Sequence, residues 1–242
     1  MELHVAFLPE EAGDCRERAV AVIDVIRATT SLLVMIERRC DEIVVAPTVD
    51  AARRYRPAHA AGALLAGEEG GLAPEGFDFG NSPAAFARAD LAGRRIVFAT
   101  TNGTRALHGA RDAPVVLIAC LRNRSAAARA IMAEAASGAL GVTIICSGRA
   151  GRFGLDDAYT AGAIVDAILD GPAGHGVAPT DAAHAARVLY RAHPDPEALF
   201  RTTWAGRNVV QIGLEEDLRV CATQDCSETV PRLGGRVRLL AE

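Results

Sequence analysis

The stretch AVAVIDVIRATTSLLVMIERR, residues 19–39, decides the fold class. Its first part, Ala19 to Ile26, is an unbroken apolar run except for Asp24, the pattern of a strand covered on both faces. A helix is predicted directly after it, over Thr30 to Arg39. The same rhythm recurs along the chain. Strands are predicted at Glu42 to Ala46, Ala63 to Ala66, Arg95 to Ala99, Val115 to Cys120 and Val142 to Cys146. Helices are predicted at Val49 to Tyr55, after Ser125, and from about Asp156 to Leu169. Alternation of this kind implies an α/β fold of three layers, α/β/α, around a mostly parallel or mixed sheet. Residues 170–179 are rich in glycine and proline and read as a surface loop. Helices near 181–192, 196–202 and 205–212 and a short strand near 237–240 follow. Residues 1–242 are expected to form a single domain, with a subdivision near 170–179 as the alternative.

Composition narrows the function. The chain has 242 residues, half of them hydrophobic, and a net charge of −4, which disfavours a general nucleic-acid binder. All 26 basic residues are arginine. Without lysine there is no Walker A loop, no Schiff base to a cofactor and no kinase lysine. The six cysteines form no C-x-x-C pair and no zinc-finger spacing, so buried free thiols in a reducing cytoplasm are expected. No signal segment and no membrane-length apolar run is visible.

Polar residues gather where the predicted strands end, the place where open parallel sheets bind ligands. Asp24 lies in an apolar run, and a carboxylate buried there must be paired, hydrogen-bonded or bound to metal. An internal ion pair with Arg27 is one reading. A metal ligand or nucleophile beside a phosphate-gripping arginine is the other. Thr29, Thr30 and Ser31 open the next helix, as anion donors or simply as caps. The segment GEEGGLAPEGFDFGNSP, residues 67–83, holds Glu68, Glu69, Glu75, Asp78 and Asn81; its oxygen ligands suit Mg²⁺, although a solvated loop has the same composition. Thr100-Thr101-Asn102-Gly103-Thr104 can turn backbone N–H groups into an anion nest.

CSGRAGRFG, residues 146–154, adds glycines at 148, 151 and 154 with Arg149 and Arg152 between them. Cys146 and Arg152 also have the spacing of thiolate phosphatases, in which the sulfur attacks phosphorus. The expected histidine before Cys146 and glycine three residues after it are missing. A haloacid-dehalogenase mechanism is excluded, because it needs an aspartate where Ile26 stands and a lysine. No histidine pair has metal-binding spacing.

Taken together, VIDVIRATTS (22–31), GEEGGLAPEGFDFGNSP (67–83), TTNGT (100–104) and CSGRAGRFGLDDAYTAGAI (146–164) resemble the 2-phosphosulfolactate phosphatases of coenzyme M biosynthesis. AGRNVVQIGLEEDLRVCA (205–222) and VPRL (230–233) fit in the same order, so the resemblance covers nearly the whole chain. It departs from the family at Gly154-Leu155-Asp156-Asp157 and at Thr202-Thr203-Trp204-Ala205, which bears on substrate identity. The resemblance implies a Mg²⁺-dependent phosphatase acting on a small phosphorylated sulfonate-carboxylate.

The expected site follows from both readings. Asp24, Arg27 and Cys146 are the catalytic candidates. Asp24, Glu68 and Asp157 are expected to hold Mg²⁺. Thr29, Thr30, Asn81, Asn102, Gly103, Thr104, Gly148, Gly151, Arg152 and Arg207 are expected to bind phosphate or substrate, with Arg122 and Arg149 as further cations. The partner is a small phosphorylated anion, with neither nucleic acid nor membrane; self-association stays open. A phosphatase for another small phosphorylated acid and a non-catalytic anion binder are the rival readings.

Overall fold

The computed structural model describes residues 1–59, 62–138 and 140–240. Its strands form two parallel sheets with helices on both sides, which is the three-layer α/β arrangement, extended by a second sheet.

The first sheet contains β1 (Glu2–Ala6), β2 (Arg18–Ile23), β6 (Val115–Ala119), β7 (Gly141–Cys146) and β8 (Ala178–Pro179), in the order β6-β2-β7-β1-β8. The second contains β3 (Glu42–Val45), β4 (Leu64–Gly67), β5 (Arg95–Ala99) and β9 (Val237–Leu239), in the order β4-β5-β3-β9. Every ladder between named strands is parallel.

Side-chain alternation sorts the layers. Ala19, Ala21 and Ile23 of β2, with Val142, Ile144 and Cys146 of β7, face one cluster with α5 (Arg124–Gly138) and α6 (Leu155–Asp170). Val20, Val22 and Ile145 point the other way. They share a second cluster with α1 (Ala28–Glu37), α4 (Gly103–Gly109) and the inner face of the second sheet, including Ile43, Val45, Ile96 and Phe98. The second sheet's far face packs Leu65, Val97 and Ala99 on α2 (Val49–His59) through Ala52. Each fully buried Ile or Leu in these clusters contributes about 1.5–3 kcal/mol relative to exposure.

The segment read as a surface loop partly joins the core sheet, since β8 pairs with β1 through Glu2↔Ala178 and Leu3↔Pro179. Sequence reading also missed β1, where Glu2 and His4 interrupt the apolar run, and the short helices α3 (Pro83–Arg88), α4 and α10 (Glu216–Ala222). The predicted C-terminal helices appear as α7 (Asp181–Ala192), α8 (Pro196–Thr202) and α9 (Trp204–Gln211). The last residues tie the two sheets together. The Ile118 amide donates to Pro231 O (2.8 Å), the Leu233 amide donates to Val116 O (3.0 Å), and β9 then edges the second sheet beside β3.

Candidate active site

The carboxyl ends of β2, β4, β5 and β7 open into one cavity of about 660 Å³ between the two sheets, closed on one side by α9. Its lining includes Asp24, Arg27, Glu68, Asn81, Asn102, Gly148, Arg152 and Asp157, so residues far apart in the chain do converge. The lining also contains Asp156, Thr203 and Trp204, which sequence reading had not placed in the site.

Asp24 is the first residue past β2 and is buried. Its Oδ1 accepts from the Ala28 amide at 3.3 Å. Gly103 lets α4 approach it: a Cβ there would lie 2.7 Å from Asp24 Oδ2 and 2.6 Å from the Ala28 Cβ. Thr29 and Thr30 are correctly placed on the helix start but do not reach the cavity. Both are fully buried; Thr29 Oγ1 donates to Asp24 O (3.0 Å) and Thr30 Oγ1 donates to Val25 O (2.8 Å). They shape the turn that carries Asp24 rather than binding an anion. Thr104 likewise turns inward, donating to Thr100 O.

Arg27 does not pair with Asp24. Its Nη1 donates to Asp217 Oδ2 at 2.9 Å and its Nη2 donates to Gly71 O at 2.7 Å, with both members of the ion pair buried. Asp217 is held in turn by the Ser82 hydroxyl (2.6 Å) and the Ala84 amide (3.1 Å) on Oδ1. This anchor from α10 was missed in the sequence, where it sits inside an ordinary acidic helix start, Glu215-Glu216-Asp217.

The carboxylates divide into two kinds. Glu68 uses both oxygens on backbone, accepting from Gly71 N and Thr101 N at 2.8 Å each. Asp157 accepts from Val25 N (2.9 Å) on Oδ1, and from Ser147 Oγ (3.0 Å) and Gly148 N (3.1 Å) on Oδ2. Both therefore brace strand ends. Asp24 is less committed, meeting the Ala28 amide on Oδ1 and the Ser147 hydroxyl, and among the described residues no other residue hydrogen-bonds to the Asp156 carboxylate. Glu69, Glu75 and Asp78 of the 67–83 loop stay outside the lining, and Asp78 instead caps Leu65 N (2.7 Å) and meets Arg56.

Burial dominates the electrostatics. It pushes the carboxyl of Asp24 up to about 6, with Glu68's charge adding to the effect. It pushes Asp156 up to about 7, helped by Asp24. It raises Asp157 well above the usual range, helped by Asp156 and Asp24. Arg27 cannot offset this group alone, because Asp217 already balances its charge.

Among the described residues, no three His, Cys, Asp or Glu side chains form a ready metal cage. Mg²⁺ does not need one, since it binds through one or two carboxylates, water and substrate phosphate. Asp24 and Asp156 fit that role. So does Asn81, whose Oδ1 is buried beside the cavity with no hydrogen-bond partner.

Further expectations are corrected. Cys146 lies outside the cavity. Its strand parity matches Val142 and Ile144, so the thiol sits fully buried against α5 and α6, and burial holds its pKa well above the usual thiol value. The 148–151 segment is a tight turn, not an open nest. Ala150 (φ 47°) and Gly151 (φ 71°) form its corner, Arg149 and Arg152 exchange backbone bonds, and the Ala150 amide donates to Asn102 Oδ1 (3.0 Å). With Gly148 N taken by Asp157, the amides of Gly148, Arg149 and Ala150 are already in use, and Gly151 faces a separate small hollow. Arg207 is exposed outside the lining and donates to Thr202 O, and Arg122 pairs with Glu37.

The profile of a family described as 2-phosphosulpholactate phosphatase matches residues 6–235. The chain belongs to this family. The family is one of phosphoric monoester hydrolases, which places the chain among enzymes. A protein of Thermus thermophilus named "Probable 2-phosphosulfolactate phosphatase" is 42% identical over 98% of this chain and 96% of its own length. One of the same name from Deinococcus radiodurans is 38% identical across the full length of both. Another, from Clostridium acetobutylicum, is 30% identical over 90% of each. No helix among the described residues is long and apolar enough to cross a membrane.

Proposed function

We propose that this protein hydrolyses 2-phosphosulfolactate to sulfolactate and phosphate in a Mg²⁺-dependent reaction. One observation carries the reading: in a member of this family, an anchored guanidinium and two carboxylates with free oxygens meet at the buried end of a single cavity.

Charge balance supports the metal. Asp24, Asp156, Asp157 and Glu68 crowd the inner end, where a phosphate ester dianion would be repelled. Asp24, Asp156 and Asn81 Oδ1 would hold the ion. When bound, Mg²⁺ supplies neutralising charge to the phosphoryl oxygens.

The chain's own groups do the rest. Arg27 keeps N–H groups beyond the two that bind Asp217 and Gly71, and these stabilise charge on the phosphoryl group as the ester bond breaks. Asp217 prevents the guanidinium from swinging away. Asp157 and Glu68 hold the loop ends in register around it. Ile26, Leu155 and Val209 give the cavity apolar wall, which limits water around the reacting group.

The test is phosphate release from 2-phosphosulfolactate, with Mg²⁺ or EDTA, by the native chain and by Asp24→Asn. Mg²⁺-dependent release is expected, with kcat lowered by about 10²-fold or more in the variant. Release that ignores EDTA, or near-normal turnover by the variant, would falsify the assignment. A panel with 2-phospholactate and phosphoglycolate separates this substrate from other small phosphorylated acids. Tight phosphate binding without release from any ester would mark an anion binder instead.

A further inference from the structure

The outer end of the cavity carries chemistry that the buried end does not use. Arg149 and Arg152 project from the tight turn after β7 into the cavity lining, and both are exposed. No carboxylate pairs with either among the described residues, whereas Arg27, Arg122, Arg124 and Arg187 all have acidic partners. The guanidinium of Arg149 stacks over the ring of Trp204 at the start of α9. Trp204 is the chain's single tryptophan and is 46% exposed. Phe153 completes this rim, resting edge-on against Phe7 at 5.4 Å between ring centroids.

We propose that the Arg149–Trp204 stack is the specificity element of the site, reading a second anionic group, carboxylate or sulfonate, on the carbon skeleton that carries the phosphate ester. The inference rests on the phosphatase reading for the position of the phosphoryl group at Arg27. Neither cation has a salt-bridge partner among the described residues; burial and then the charge of Arg152 work against the Arg149 charge, and the more distant Glu68 only partly offsets them. An anion from the substrate relieves that repulsion. Stacking pins the planar guanidinium by its face and leaves its N–H edge free for a planar or tripodal oxyanion. The buried end is rich in carboxylates, so a second negative group cannot be accommodated there and must lie outward. The cavity is also larger than a phosphate group requires, leaving room for a short acid between the two ends. Trp204 acts through Arg149 and is a positioning residue.

Two measurements test the assignment. The first compares kcat/KM for 2-phosphosulfolactate and 2-phospholactate with that for isopropyl phosphate, which keeps the esterified carbon but lacks both acid groups. In Arg149→Gln the preference for the acids over isopropyl phosphate should fall on the order of 10- to 100-fold, through KM rather than kcat. Trp204→Ala should move it in the same direction, and Trp204→Phe should restore most of it, because a ring face returns. A preference that survives Arg149→Gln overturns the proposal. So does an equal loss on all three esters, which would place Arg149 on the phosphoryl group.

The second measurement uses Trp204 emission and needs no turnover. Sulfolactate, which has no phosphate, should shift the emission of the native protein, and Arg149→Gln should weaken its binding 10- to 100-fold. Inorganic phosphate should shift it less. If none of the three esters is hydrolysed but this Arg149-dependent shift persists, the phosphatase reading fails and the anion subsite stands. If sulfolactate binds both proteins equally, the subsite is refuted whatever the turnover.

Discussion

Changing Asp217 to asparagine should cost the protein both stability and activity, by amounts the geometry sets. The Arg27–Asp217 pair is the most buried ion pair among the described residues, with side-chain exposures of 4% and 1%. Asparagine has the same shape and can keep Oδ1 for the Ser82 hydroxyl and the Ala84 amide. Its NH₂ group would then face Arg27 Nη1 at the 2.9 Å position, donor against donor, and the guanidinium would lose its counter-charge. Breaking a buried pair from one side costs about 3–5 kcal/mol. The Gly71 carbonyl still holds Nη2, so the lower end of that range is expected. Against a total stability of about 5–15 kcal/mol, the variant should fold but unfold at much lower urea.

Urea unfolding followed by far-UV circular dichroism measures the loss. Native protein, Asp217→Asn, Arg27→Met and the double variant form a complete cycle. The double variant should be more stable than the two losses predict, because no unpaired charge remains. Activity should fall about 10²-fold in Asp217→Asn through misplacement of Arg27. A loss below about 1 kcal/mol, or two losses that simply add, would refute the view that Asp217 anchors this arginine.

The remaining predictions concern the carboxylates and the packing around them. Asp24 and Asp156 hold protons up to about pH 6 and 7, while the unfolded chain releases them near 4, so the stability they contribute is complete below pH ~4 and drains as pH rises through 6 and 7. Tm in EDTA should therefore fall from pH 5 to 8, with Mg²⁺ restoring most at the upper end; a metal-free Tm that climbs over that range contradicts the raised values. Gly103→Ala puts a methyl against Asp24 Oδ2 and Ala28, so thermal unfolding should show a loss of about 1–3 kcal/mol, with reduced turnover. Cys146→Ala should keep kcat/KM within a few-fold, because the thiol faces α5 and α6; loss of turnover in a stable variant would return sulfur to the mechanism.

Much of the architecture was legible because unbroken β-branched runs alternate with alanine-rich segments, and such runs are stable only between helices. The division into two sheets was not legible. Val45 and Val22 have the same local pattern, yet they belong to different sheets that share one apolar layer. In the site, Asp24 and Arg27 stood out as charges in apolar surroundings. Asp156 and Asp217 did not, since acids in the first turn of a helix are ordinary.

The amino-acid sequence by itself determined the strand–helix rhythm, the exclusion of lysine chemistry, and the set of loops whose polar residues collect at strand ends. Those properties depend on near neighbours and on composition. Tertiary structure alone decided which oxygens are used up by backbone amides, which face of β7 carries Cys146, and that an aspartate 190 residues away holds Arg27. Hydrogen-bond partners and burial arise from groups that meet only when distant segments pack. The same carboxylate is therefore a brace at Asp157 and an unengaged group on the cavity wall at Asp156, although the two are adjacent in the chain.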